Sequence, residues 1–139
     1  MKRICGRAII IENDEVLLMF RRRLENNILK EYYAIPGGKQ EIGETVEECV
    51  IRELKEEFSI DIEVLNYLGT VEDDRNIGYV YHCKKLKGNL KLGGEELEEC
   101  NPDNYYEIRC VKLSEIDNIE LLPENKFLIK KAIEELKVV

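Results

Sequence analysis

Three glutamates, Glu53, Glu56 and Glu57, stand three and four residues apart within the segment GKQEIGETVEECVIRELKEEFSI, residues 38–60. On a helix those spacings put all three side chains on one face. Like charges held that close repel, and a helix gains nothing from them unless a cation sits among them. Hard divalent cations of the magnesium type take carboxylate oxygens, so the pattern points to a metal site. Gly38 can add its carbonyl as a further hard oxygen. Arg52, one residue ahead of Glu53, can pair with a carboxylate and fix its rotamer. Such a face suits two or more magnesium ions, which neutralise a pyrophosphate and activate a water. A glutamate beside metal and substrate is then the natural general base.

A helix and a loop must aim these groups. Thr45 is a good N-cap, and Glu48 three residues on completes a capping box. Val50, Ile51, Leu54 and Phe58 share an apolar arc about a third of a turn from the glutamates. One flank can therefore face a core while the other faces a cleft. Ahead of the helix, Pro36-Gly37-Gly38 stops any regular element, and its glycines bring bare backbone close to a ligand. Gly37 and Gly38 are candidate substrate contacts for that reason.

Elsewhere, residues 3–11 and 15–22 read as a hairpin about Glu12-Asn13-Asp14. Residues 24–31 are polar and read as a loop, followed by a short strand over 32–35. Further strands are expected over 60–71, 77–87 and 105–113, with a polar, glycine-bearing loop over 88–104 that has room for one short strand. Ser114 caps a short turn through Asp117. A second helix runs from Pro123 to Leu136, with an inner stripe of Phe127, Ile129 or Lys130, Ala132, Ile133 and Leu136.

The chain has 139 residues, room for one domain over 1–139 with a real core. A net charge of −8 argues against polymeric nucleic acid as a ligand. A phosphorylated small molecule remains compatible, because metal ions invert the local charge. The five cysteines are scattered without a Cys-x-x-Cys pair, which reads as reduced thiols rather than a zinc site or disulfide framework. The opening MKRICGRAIIIEND reads as a first strand rather than a signal peptide, and no apolar run approaches a membrane span. A cytoplasmic, soluble protein is expected.

The skeleton of residues 38–60 resembles the Nudix box, the signature of the Nudix (MutT-like) hydrolases of nucleoside diphosphates linked to another moiety. Gly38, Glu44, Arg52-Glu53-Leu54 and Glu56-Glu57 all stand at the family spacing, over 23 of 139 residues. The lead-in Tyr33-Ala34-Ile35-Pro36-Gly37-Gly38 is also similar to that family's. The resemblance implies an α+β fold, a mixed β-sheet sandwiched between helices (α/β/α). It implies that Glu53, Glu56 and Glu57 bind metal, assisted by the Gly38 carbonyl and Glu44, with Arg52 orienting Glu53. The implied cofactor is Mg2+, for which Mn2+ can substitute. One position departs: Ser59 stands where the family usually has glycine, at a helix exit that favours a left-handed backbone.

Family members often place one more carboxylate on a loop far along the chain, as ligand or base. Within Gly94-Glu95-Glu96-Leu97-Glu98-Glu99, Glu96 is the favoured residue and Glu95 the next. Arg21 and Arg23 alternate onto one strand face and Arg22 onto the other, and Arg23 is the chosen ligand for a terminal phosphate. Tyr33, with Tyr32, Tyr79 and Tyr81, could stack on a base. His82, the only histidine, reads as structural. The expected function is magnesium-dependent pyrophosphate hydrolysis of a nucleoside diphosphate derivative or nucleoside triphosphate, by a monomer or homodimer. The alternative is a non-catalytic Nudix-like domain that binds a nucleotide as a regulator.

Overall fold

The computed structural model describes residues 1–137, apart from the side chain of Glu95. Strands β1 (Arg3–Glu12) and β2 (Glu15–Glu25) meet at Asn13 and Asp14, whose φ angles are 54° and 61°. Two successive positive φ angles make the type I′ turn that matches the twist of paired strands. The same device recurs at Asn26 and Asn27, with φ 50° and 64°, and leads into β3 (Ile28–Ala34). The loop expected over 24–31 is thus a hairpin tip, with Leu24 paired to Leu29 and Glu25 to Ile28. Asparagine tolerates the left-handed region, so its polarity here marks a tight turn rather than an open loop.

Pro36-Gly37-Gly38 also differs from expectation. Gly37–Lys39 forms a short strand, β4, antiparallel to β1 with Gly38 opposite Gly6. Only bare backbone fits there. A Cβ on Gly37 would stand 2.0 Å from the Gly6 oxygen, and its φ of 147° already disfavours any side chain. Gly37→Ala is expected to cost more than about 2 kcal/mol through strain and overpacking. An unchanged urea midpoint would refute that.

The sheet is mixed, ordered β3-β2-β1-β6-β5, with β4 also on β1 and β7 (Asn104–Lys112) also on β2. β6 (Asn76–Lys87) runs parallel to β1 and antiparallel to β5 (Asp61–Glu72). β1 and β2 pair only beside their turn, at Ile11↔Val16 and Glu12↔Glu15. Beyond it they part: β1 takes β4 on that edge and β2 takes β3. The fork so opened is where the candidate site lies.

Helix α1 (Val46–Phe58) carries the expected capping box: Glu48 N–H donates to Thr45 Oγ1 at 3.1 Å, and Thr45 N–H to Glu48 Oε1 at 2.8 Å. Val50, Leu54 and Phe58 pack on Ala8, Ile10, Leu17 and Met19. Ile51 does not join them and is 42% exposed, because it lies about 100° round the helix from Val50, past the seam. On the opposite sheet face, α3 (Pro123–Leu136) packs Leu128, Ile129 and Ala132 against Ile9, Val16, Leu18, Leu68 and Val80. Its inner stripe is therefore turned from the expected one. Ile129 and Ala132 are in it and Ile133 lies at its margin, but Phe127 is 67% exposed and Leu136 is exposed too. The bulky Phe127 reads as a core residue by type, yet the helix docks through the 125/128/129/132 arc. Buried His82 has its Nδ1 2.8 Å from the partly exposed Glu135 of α3, a tie between helix and sheet.

The segment 88–104 holds a short helix, α2 (Gly94–Glu99), in place of the open loop or strand expected. β2 runs three residues past its expected end at Arg22, into the hairpin; β1, β5, β6, β7 and the turn at 113–118 fall within a residue of their expected bounds. Two cores on opposite sheet faces make the α/β/α sandwich.

Candidate active site

Glu53, Glu56 and Glu57 each offer a carboxylate oxygen within 4.8 Å of the others. Glu53 and Glu57 are buried and Glu56 is exposed, so the three grade from core to solvent along one helix face. β4 backs them: a Cβ on Gly38 would fall 2.5 Å from the Glu53 carboxyl carbon. Glycine at 38 is what lets this carboxylate lie against the strand. The Gly38 carbonyl accepts from the Cys49 thiol at 3.5 Å. Burial pushes that thiol up to about 11, so it stays a proton donor.

Arg52 holds the repelling charges in place. Its Nη1 donates to Glu53 Oε1 and Glu56 Oε2, both at 3.1 Å, and lies 3.3 Å from Glu41. Its Nε and Nη2 meet the two oxygens of Glu44 at 3.0 and 2.7 Å, and Nη2 also donates to the Lys39 carbonyl. Glu44 accepts from the Glu41 N–H as well. The Arg52 fork, aided by that backbone bond, lowers the Glu44 carboxyl to about 2. Glu44 accordingly stands apart from the three clustered carboxylates and clamps the arginine.

Glu96 reaches the same place from α2. It lines both the acidic trough beside Glu53, Glu56 and Glu57 and a cleft of about 320 Å³ in the fork of the sheet. Burial, and then the charge of Glu53, raises its carboxyl above the usual range. Trough and cleft meet at Gly37, Glu57 and Glu96. The cleft walls include Arg7, Arg21, Tyr32, Tyr33, Tyr106 and Asn125. Among the described residues, four buried side-chain atoms have no hydrogen-bond partner: Arg21 Nε, Glu57 Oε2, Glu96 Oε2 and Asn125 Oδ1. All four residues line this one cleft. Buried polar atoms are ordinarily paired, so their concentration here marks where a polar ligand belongs.

The family model of the NUDIX domain matches residues 2–133. The chain belongs to the NUDIX family. Over 95 residues it is 40% identical to the ADP-ribose pyrophosphatase of Methanocaldococcus jannaschii, a stretch making up 64% of this chain and 55% of that protein. The NAD-capped RNA hydrolase NudC of Pseudomonas aeruginosa is 28% identical over 94 residues, 66% of this chain and 32% of that protein. The Nudix chain thus spans about half the length of the first relative and a third of the second. The crystal structure of a MutT NUDIX hydrolase from Burkholderia pseudomallei superposes with a TM-score of 0.73 over 94% of this chain and 97% of that one, at 22% identity. That likeness shows the fold, in agreement with the expected α+β sandwich.

Against the Nudix expectations, the structure gathers Glu53, Glu56, Glu57, Gly38, Gly37, Arg52, Glu96 and Tyr33 about one site. The Glu95 side chain lies outside the described residues. Tyr33 lines the cleft with its hydroxyl accepting from Arg109 at 2.9 Å and its ring edge-on to Phe20. Arg23 does not line the cleft; it sits at the strand end, 3.5 Å from Glu25. Of Arg21, Arg22 and Arg23, the one that lines the cleft is Arg21, stacked on Tyr106 with its Cζ 4.3 Å from the ring centroid. Both side chains share a strand face, as alternation requires, but only Arg21 is level with the fork. Tyr79 and Tyr81 pack with Tyr67 outside the cleft. Arg7 and Asn125 were not singled out from the sequence. Arg7 could have been, as a charge interrupting an apolar strand; for Asn125 no local signal exists. No helix among the described residues is long and apolar enough to cross a membrane.

Proposed function

We propose that this Nudix chain hydrolyses the pyrophosphate of a nucleoside diphosphate derivative or nucleoside triphosphate with the help of magnesium. The observation that carries the reading is the continuity of cleft and trough: every unpartnered buried side-chain atom among the described residues belongs to a residue lining the cleft, and two of them, Glu57 Oε2 and Glu96 Oε2, stand where it meets the trough. The aromatic, mostly apolar cleft suits a nucleoside, and the trough suits the phosphates. Glu53, Glu56 and Glu57 would hold the metal: the donors are hard oxygens, and Glu57 Oε2 is buried and lacks a partner. When bound, magnesium supplies charge neutralisation of the pyrophosphate and a more acidic water. Arg52 keeps Glu53 and Glu56 in their rotamers, and Glu44 keeps Arg52. Water attacks one phosphorus, its proton passes to a trough carboxylate, and the anhydride P–O bond breaks to release two phosphorylated products. Glu96, whose carboxyl burial raises above the usual range and so makes a better proton acceptor, is placed to take that proton. Arg21 faces the substrate with an unspent Nε–H donor.

The kinship with an ADP-ribose pyrophosphatase makes ADP-ribose the first member of a test panel, beside nucleotide sugars, dinucleoside polyphosphates and oxidised dGTP. The panel is run with Mg2+ or Mn2+ in water labelled with heavy oxygen, and products are identified. Metal-dependent release of two phosphorylated products, one carrying the label, is expected. Saturable binding without turnover would instead fit a regulatory nucleotide-binding domain. Asn125→Ala is expected to raise KM about tenfold with kcat little changed, as loss of one hydrogen bond to bound substrate would. An unaltered KM would remove Asn125 from the substrate contacts.

A further inference from the structure

We propose that Ser59 is a positioning residue, whose hydroxyl straps the segment leading to Glu96 onto the end of α1; this rests on the site reading given above. Among the described residues, five non-glycines have positive φ. Four are the Asn and Asp of the two hairpin turns, which tolerate it. The fifth is Ser59, at φ 62° and ψ 30°. Serine has no such tolerance, and glycine would relieve the strain. The side chain therefore has to contribute something that glycine lacks.

Its contribution is a bond to a distant segment. Ser59 Oγ donates to the Lys91 carbonyl at 2.9 Å. Lys91 N–H donates to the Phe58 carbonyl at 3.1 Å, and Gly93 N–H to the Glu57 carbonyl at 2.9 Å. Two of these bonds satisfy end carbonyls of α1, and the hydroxyl adds the third from the other direction. The approach is close enough to need glycines. A Cβ on Gly93 would stand 2.5 Å from the Glu56 oxygen, and one on Gly88 would stand 2.6 Å from the Ser59 oxygen. The segment is thus clamped to the turn that bears Glu56 and Glu57.

α2 begins directly after the clamp and carries Glu96 into the cleft. It has six residues and no side-chain hydrogen bond at its N-cap. A helix so short does not hold itself, so its place depends on its anchors. Its far end is held separately, where the Glu99 carbonyl accepts from Asn101 Nδ2 at 3.1 Å and Asn104 Nδ2 at 3.2 Å. The upstream strap is what ties the helix entrance to α1, and Ser59 supplies the part of it that backbone alone cannot.

The test separates the hydroxyl from the backbone. Ser59→Gly removes the bond and relieves the strain; Ser59→Ala removes the bond and keeps the strain. Ser59→Gly is expected to melt at or above the wild-type temperature, and Ser59→Ala below it. Both are expected to speed amide exchange over residues 88–99 and to lower kcat, each by about tenfold, the worth of one hydrogen bond. KM is expected to stay within about twofold. A merely structural role predicts activity that follows stability, with Ser59→Gly unimpaired; that result overturns the proposal. In a Glu96→Gln background Ser59→Gly is expected to lower kcat no further, because it acts through Glu96. A full additional loss overturns it too. If the wild type hydrolyses no member of the panel, the function proposed above falls; the strap is then judged by exchange alone, and unchanged protection over 88–99 in Ser59→Gly overturns it.

Discussion

Glu53→Gln is expected to lower metal-dependent turnover by about 10³-fold, within the range spanned by loss of a catalytic acid or base. The substitution is nearly isosteric, so the fit against bare Gly38 survives. What disappears is one negative charge among three carboxylates whose oxygens lie within 4.8 Å. Their mutual repulsion falls, and the metal-free protein is expected to melt no lower than wild type. The response to metal separates the effects. A ligand at 100 times its Kd stabilises the folded state by about 2.7 kcal/mol. Wild type is expected to show that upward shift with Mg2+ or Mn2+, and Glu53→Gln to lose most of it. Undiminished turnover in this variant and in Glu56→Gln would sink the assignment.

Arg52→Met carries the next largest effect, an expected loss of activity of about 100-fold, the upper range for residues that orient metal ligands. One guanidinium serves Glu41, Glu44, Glu53 and Glu56. Methionine fills similar volume but leaves those charges facing one another. The site is only partly buried, so the stability cost is expected near 2 kcal/mol, between values for surface and buried pairs. Its pH dependence follows from Glu44, whose carboxyl Arg52 depresses from 4.5 to about 2. A depressed carboxyl contributes stability that is complete above its unfolded pKa and vanishes as pH falls through its folded one. The gap between wild type and Arg52→Met is therefore expected to be widest above pH 4.5 and to close towards pH 2. Urea unfolding at several pH values measures it; a gap constant down to pH 2 would break the argument.

The box helix was legible because every signal for it is local. Thr45 and Glu48 are three residues apart, and the apolar and acidic arcs follow one period. The helix exit was legible only as a question. Ser59 does take the left-handed conformation that glycine usually supplies, closed by a hydrogen bond from Ile60 N–H to the Leu54 carbonyl. Chemistry decided the misread hairpin at Asn26-Asn27, where a polar pair meant two left-handed residues rather than a loop. Phe127 was misplaced for another reason. Residue type favours the core on average, but a docked helix buries one arc whatever stands beside it.

The sequence by itself determined the helix, its caps and the common face of Glu53, Glu56 and Glu57, since periodicity and capping act between neighbours. Tertiary structure decided which other residues meet them and how. Arg21 rather than Arg23 faces the cleft because β1 and β2 part just below it. Glu96 arrives because residues 91–93 dock on the end of α1, and Asn125 because α3 lies on the facing side. Each of these depends on contacts between segments far apart in the chain, whose distances no local period encodes.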